Sequence, residues 1–140
     1  MKMKMFMVLF LVSLVLTACG SYKALTDVRE DLLNTIKEYN EMVRLKEFDK
    51  AKLFVAESTR EEFDVRAKAT KDVKFEGYRI LSRDFITATD KEIVKVEFDY
   101  AISPLTPKKT LIDNQTWSFL YVKEEGRKRW RLLTPLPEFN

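Results

Sequence analysis

The sequence predicts an α+β fold, with N-terminal helices packed on one face of an antiparallel sheet. Three observations predict it. Apolar residues recur at helical spacing from about residue 26 to residue 70, as on the buried stripe of an amphipathic helix. From Val73 onward the period falls from near 3.6 to 2, the period of a half-buried strand. Short turn signals then separate the strands, and short turns can join only antiparallel neighbours.

The first helix is expected over 26–45. Val28, Leu32, Ile36, Tyr39 and Val43 make one apolar stripe, and Thr26 or Asp27 can cap it. Arg29, Glu30, Asp31, Lys37, Glu38 and Glu41 lie off that stripe and are assigned to solvent. A second helix fits 47–57, burying Phe48, Ala51 and either Phe54 or Val55. A third begins at Thr59-Arg60-Glu61-Glu62, the pattern of a capping box. It buries Phe63 and Ala67 and fades by Thr70.

Residues 74–87 form the first β-rich stretch, around Tyr78, Ile80, Phe85 and Ile86. Gly77 is its candidate bulge. Asp90-Lys91 is the expected hairpin tip. Residues 92–102 alternate, with Val94, Val96, Phe98, Tyr100 and Ile102 on one face and Lys95, Glu97 and Asp99 on the other. Pro104 and Pro107 form the loop that follows. A long strand over 110–123 then pairs with 127–134 across a two-residue turn at Glu125-Gly126. That turn places Glu124 opposite Arg127, Tyr121 opposite Trp130 and Phe119 opposite Leu132. Trp117, Phe119, Tyr121, Trp130 and Leu132 then share the core face, while Leu120, Val122, Arg129 and Arg131 share the other. A slip of one residue would bury the arginines, so the pattern opposes it.

Ahead of this domain stands a segment of different character. Lys2 and Lys4 precede an uncharged run from Met5 to Leu16, the layout of a secretory signal. Twelve residues of helix span about 18 Å, against a hydrocarbon core of about 30 Å. The run ends in Leu16-Thr17-Ala18-Cys19, followed by Gly20-Ser21. This segment resembles the lipobox of bacterial lipoproteins. The resemblance implies a signal peptide over 1–18, cleavage between Ala18 and Cys19, and lipid, palmitate included, on Cys19. Residues 19–25 are then the lipidated Cys and a short tether, and 26–140 the domain. Six tether residues reach at most about 20 Å, which keeps the domain at the membrane surface. Gly20-Ser21 lack the Asp that commonly holds resembling lipoproteins at the inner membrane. In an envelope of two membranes the expected location is therefore the outer one, on its periplasmic side.

The composition removes many chemistries. The 140 residues contain no His and one Cys. His-based triads, His-ligated metals, internal disulfides and Cys₄ sites are excluded, and neither metal nor cofactor is expected. The formal net charge is +3, and loss of Lys2 and Lys4 with the signal peptide would lower it to +1. A nucleic-acid binder normally carries a clear basic excess, so nucleic acid is not an expected partner.

The order of elements, the segment Phe48-Asp49-Lys50-Ala51-Lys52-Leu53-Phe54 and the final Arg129-Trp130-Arg131-Leu132-Leu133-Thr134-Pro135 together resemble the nuclear transport factor 2-like (cystatin-like) superfamily, particularly its small bacterial lipoproteins. The resemblance implies a cone, with helices against a strongly curved sheet. It also implies a ligand site between them, lined by Tyr39, Tyr100, Asp113, Gln115 and Trp117. The superfamily's steroid-isomerase-like enzymes use carboxylates and tyrosines there, and a desolvated Asp113 could act as a base. The other reading leaves Asp113 and Gln115 in solvent at a frayed strand end. Leu120, Val122, Arg129 and Arg131 are the candidate interface, either for a homodimer through the sheet or for an envelope protein. The basic run from Arg127 to Arg131 could also face anionic headgroups, or be neutralised by Glu124 with Glu97 or Asp99. The expected function is a non-enzymatic, membrane-anchored binding module. The alternative is a small apolar ligand binder or an isomerase-like enzyme.

Overall fold

The computed structural model describes residues 27–140. The signal segment, Ala18, Cys19 and the tether lie outside the described residues. Thr35–Asn140 form one compact unit, and residues 27–34, the first turns of helix α1, belong to the N-terminal unit.

Helix α1 covers residues 27–44. Leu32, Ile36, Tyr39 and Val43 of the expected stripe are fully buried, whereas Val28 is exposed. Asn40 is also fully buried, at the helical spacing of four from Ile36. The helix stops in a Schellman arrangement. Lys46 adopts a left-handed φ of 58°, with Lys46 N–H bonded to Val43 O at 3.0 Å and Glu47 N–H to Met42 O at 2.8 Å. Glycine normally fills this position. Here the lysine Nζ donates to Thr70 O and Lys71 O at 2.9 and 3.0 Å, across from the end of the third helix.

The expected second helix is much shorter. Helix α2 is one turn, Phe48–Ala51, followed by a 3₁₀ turn at Lys52–Phe54. Val55 is extended (φ −85°, ψ 138°) because it bridges Leu132 in parallel, with Ala56 N–H donating to Leu132 O at 2.9 Å. This tertiary pairing overrides local helical preference. Ala51 and Val55 are buried and Phe54 is half-buried. A second 3₁₀ turn, Glu57–Thr59, leads into α3, Arg60–Ala69, which buries Phe63 and Ala67. The expected capping box does not form. Thr59 makes no side-chain cap, and its Oγ1 donates instead to Leu133 O at 3.0 Å.

Four antiparallel strands follow in the order β1-β2-β3-β4: β1 Lys74–Ile86, β2 Lys91–Ala101, β3 Lys109–Val122 and β4 Arg127–Leu132. The β1–β2 register shifts between Phe75 and Gly77 and again between Ile80 and Ser82, so Glu76 and Leu81 are the extra residues. The first hairpin closes on Ile86 and Lys91. Its turn is therefore Thr87–Asp90, and Lys91 already belongs to β2. Val94, Val96, Phe98 and Tyr100 are buried as expected, while Ile102 lies past the strand end and is half-buried.

The β3–β4 register differs from the expectation by two residues. Val122 pairs with Arg127, Phe119 with Trp130 and Trp117 with Leu132. The turn is four residues, Lys123–Gly126, with Gly126 at φ 64°, a value that favours glycine. Because strand faces repeat every two residues, the shift preserves every predicted facing. It does change the partners: Tyr121 meets Lys128 rather than Trp130. Tyr121 is consequently 62% exposed and leaves the core, whereas Trp117, Trp130 and Leu132 are buried. The inner face packs on the helices through Tyr39, whose ring meets Trp117 edge-on at 5.6 Å and Phe63 at 6.5 Å.

The last strand, expected to run to 134, ends at Leu132, and residues 133–140 form a strap whose part beyond 134 sequence periodicity left unassigned. Leu133 N–H bonds to Thr116 O at 2.8 Å. Beyond it, Leu136 is fully buried and Phe139 is buried.

Candidate functional site

Three alternate residues of β3 point to the helix side: Asp113, Gln115 and Trp117. All three are buried, so neither polar residue lies in solvent at a frayed end. Two consecutive residues of α1, Tyr39 and Asn40, meet them. Gln115 Nε2 donates to Asn40 Oδ1 at 2.7 Å and to Asp113 Oδ2 at 2.9 Å. Asn40 Nδ2 returns a bond to Gln115 Oε1 at 3.3 Å and another to Ile36 O at 2.8 Å. Trp117 Nε1 donates to Gln115 Oε1 at 3.2 Å. The result is a reciprocal amide pair flanked by a carboxyl on one side and an indole on the other.

Burial pushes the Asp113 carboxyl up from its ordinary 3.8 to about 6, against the opposing pull of the Gln115 hydrogen bond and the Arg66 charge. The Tyr39 hydroxyl is pushed well up by desolvation and then by the Asp113 charge. Among the described residues, this hydroxyl is the buried side-chain polar atom that has no hydrogen-bond partner. An orphaned buried hydroxyl costs about 1–3 kcal/mol. Tyr39→Phe is therefore expected to leave stability unchanged or raise it by about 1 kcal/mol. Urea denaturation checks this, and a loss above about 1 kcal/mol would reveal an ordered partner for the hydroxyl.

Of the five predicted pocket residues, the structure gathers Tyr39, Asp113, Gln115 and Trp117. Tyr100 is elsewhere, its hydroxyl donating to Asn140 O at 2.9 Å. Tyr39, Gln115 and Trp117 are fully buried and Asp113 is 5% exposed, so a ligand reaching them would have to displace packed side chains. Sequence reading missed Asn40, a polar residue on the helix stripe four residues after Ile36. It also missed Arg66, whose Nη1 donates to Leu136 O at 2.9 Å; nothing in the local pattern distinguishes that residue from other solvent-side charges of α3.

The predicted interface lies on the opposite face. Leu120 is 38% exposed and pairs with Arg129, while Ser118 pairs with Arg131. Glu125, rather than Glu124, neutralises the basic strand. Its carboxylate accepts from Arg129 at 2.8 Å, Arg131 at 2.9 Å and Arg127 at 3.3 Å. These bonds, led by Arg129, hold it well below the usual carboxylate range, at about 2. Glu97 and Asp99 pair instead with Arg79. A groove of about 350 Å³ runs between Ala56, Arg60, the strand residues Leu120, Val122 and Arg131, and the turn residue Lys123.

Among the described residues, no group of three or more acidic or Cys side chains could hold a metal ion, and no helix is long and apolar enough to cross a membrane. Fold and site together define an α+β domain with a closed polar network between helix and sheet. No protein-family model, curated protein or solved structure matches the chain.

Proposed function

We propose that the protein is a membrane-anchored envelope lipoprotein whose single nuclear transport factor 2-like domain works as a non-enzymatic interaction module. The observation that carries the choice of interaction over catalysis is the filled interior. Tyr39, Gln115 and Trp117, the residues a substrate would need, are fully buried. Among the apolar residues at the surface, Leu120 and Val122 lie on the outer face of the sheet beside arginines. The anchor is lipid on Cys19, supported by Leu16-Thr17-Ala18-Cys19 after an uncharged run. One chain gives only marginal attachment, and two or three make it effectively permanent. In a two-membrane envelope the domain faces the periplasm from the outer membrane.

The test is metabolic labelling with an alkyne fatty acid in cells that carry the native envelope machinery. The wild-type chain is expected to take up label and to sediment with membranes. Cys19→Ser is expected to take up none and to lose that attachment. Equal fractionation of both proteins, without label, would reject the anchor.

A second reading is favoured by one observation. The unpartnered Tyr39 hydroxyl lies near a carboxyl poised at about 6, the pair of groups an isomerase-like site would use once opened.

A further inference from the structure

The two hairpins of the sheet do not end together. The last β2–β3 pair is Lys91 with Ser118, whereas β3 and β4 stay paired out to Val122 and Arg127. Residues 119–122 and 127–130 therefore form a two-stranded arm four residues longer than β2, about 13 Å at the rise of a strand. Alternation puts Leu120, Val122, Arg127 and Arg129 on one side of the arm and Phe119, Tyr121, Lys128 and Trp130 on the other. The Phe119 and Trp130 rings meet at 5.2 Å and brace the two strands. Leu120 and Tyr121 are exposed.

Charge follows the same division. Residues 119–131 hold five Lys and Arg against two Glu, while the other described residues hold 17 Lys and Arg against 20 Asp and Glu. Glu125 accepts from three arginines, and one carboxylate cannot balance three guanidiniums. Lys123 and Lys128, both exposed, add to the excess. The groove of about 350 Å³ opens along this arm, with Arg60, Lys123 and Arg131 beside the apolar Ala56, Leu120 and Val122; Glu57 and Glu124 also border it. An exposed tyrosine and leucine among lysines and arginines have the make-up of a membrane-interface segment. An anionic lipid surface strengthens contact about fivefold for each Lys or Arg that comes near it. It also repels the net-negative remainder, so the field that draws the arm inward turns the rest outward.

We propose that the arm of residues 119–131 docks on the anionic lipid surface of the membrane that carries the anchor. Leu120 and Tyr121 enter the headgroup layer, and Arg60, Lys123 and Arg131 hold lipid phosphates at the groove. The proposal rests on the reading above for the nearness of the membrane: a tether of at most about 20 Å keeps the domain within reach of the surface. It names anionic lipid as what the interaction module engages.

The test uses the full chain reconstituted on vesicles of phosphatidylcholine alone or of an equal mixture with phosphatidylglycerol. Retention on the neutral vesicles reads the anchor, and amide hydrogen exchange of residues 119–130 reads the arm, so the two can fail separately. From neutral to anionic vesicles, exchange in the arm is expected to slow about fivefold or more, and high salt should reverse this. Lys123→Gln with Lys128→Gln should remove most of the slowing. Lys37→Gln with Lys68→Gln, which lowers the net charge equally, should leave it in place. Both pairs replace exposed side chains, so neither threatens the fold. Equal exchange on the two kinds of vesicle would overturn the proposal and leave the arm to an acidic protein. An equal loss in the two double variants would also overturn it, by reducing the effect to net charge. Slowing by soluble glycerol phosphate as strong as that by anionic vesicles would overturn it too, by making the groove a site for a free anion.

Discussion

Asp113→Asn is expected to make the protein more stable at pH 7.5, by about 1–3 kcal/mol. The sign follows from linkage. Burial raises the folded-state carboxyl from its ordinary 3.8 to about 6, so between those values the folded protein holds a proton that the unfolded chain has released. Stability therefore falls as pH rises from about 4 to about 6 and is flat above. At about 1.4 kcal/mol per tenfold, the full loss is about 3 kcal/mol. Asparagine carries no charge to desolvate, and its oxygen can still accept from Gln115 Nε2. Its added N–H₂ group needs a partner of its own, which sets the lower end of the range. Denaturation of both proteins from pH 4 to pH 8 checks this. Their difference in stability should grow across the acidic half and then level off. A constant difference, or a less stable variant at pH 7.5, would mean that Arg66 and Gln115 stabilise the carboxylate more than burial opposes it.

Trp117→Ala carries the largest expected loss, about 4 kcal/mol, in the range for deleting a large buried aromatic side chain. Trp117 is fully buried, lies edge-on to Tyr39 and pairs across strands with Leu132. Its removal leaves a void that helix and sheet can only partly close, because Asn40 and Gln115 still pin α1 to β3. Gln115 Oε1 also loses the indole donor but keeps Asn40, so the polar penalty is the smaller part. Chemical denaturation should show a large fall in midpoint with little change in slope. A loss below about 1.5 kcal/mol would mean that the indole is not a main support of the core.

Much of the fold was legible because period and face are strong signals. The stripe through Leu32, Ile36, Tyr39 and Val43 and the alternation through Val94, Val96, Phe98 and Tyr100 could not be satisfied by another element type. What escaped the sequence depended on distant partners. The second helix shrank because Val55 pairs with Leu132, a residue far along the chain. The capping box failed because Thr59 found Leu133. The hairpin register moved by two because either turn length keeps Trp130 inside, and alternation is blind to even shifts. Residue parity placed Asp113 and Gln115 on the helix side. Asn40 was passed over because a polar residue at a core position declares itself only when its partner is known. The strap carried two prolines and no period, so nothing local marked Phe139 as buried.

Lys46 ties two places together that the chain keeps apart. Its backbone closes α1, while its ammonium holds the carbonyls of Thr70 and Lys71, just past the end of α3. Helix ends ordinarily fray first, each on its own. Here one residue serves both ends, so fraying of α1 at Lys46 also loosens the lysine's hold on the chain just past α3. The helix that carries Tyr39 and Asn40 and the helix that carries Arg66 are thus linked at their C-terminal ends by one lysine at a left-handed φ.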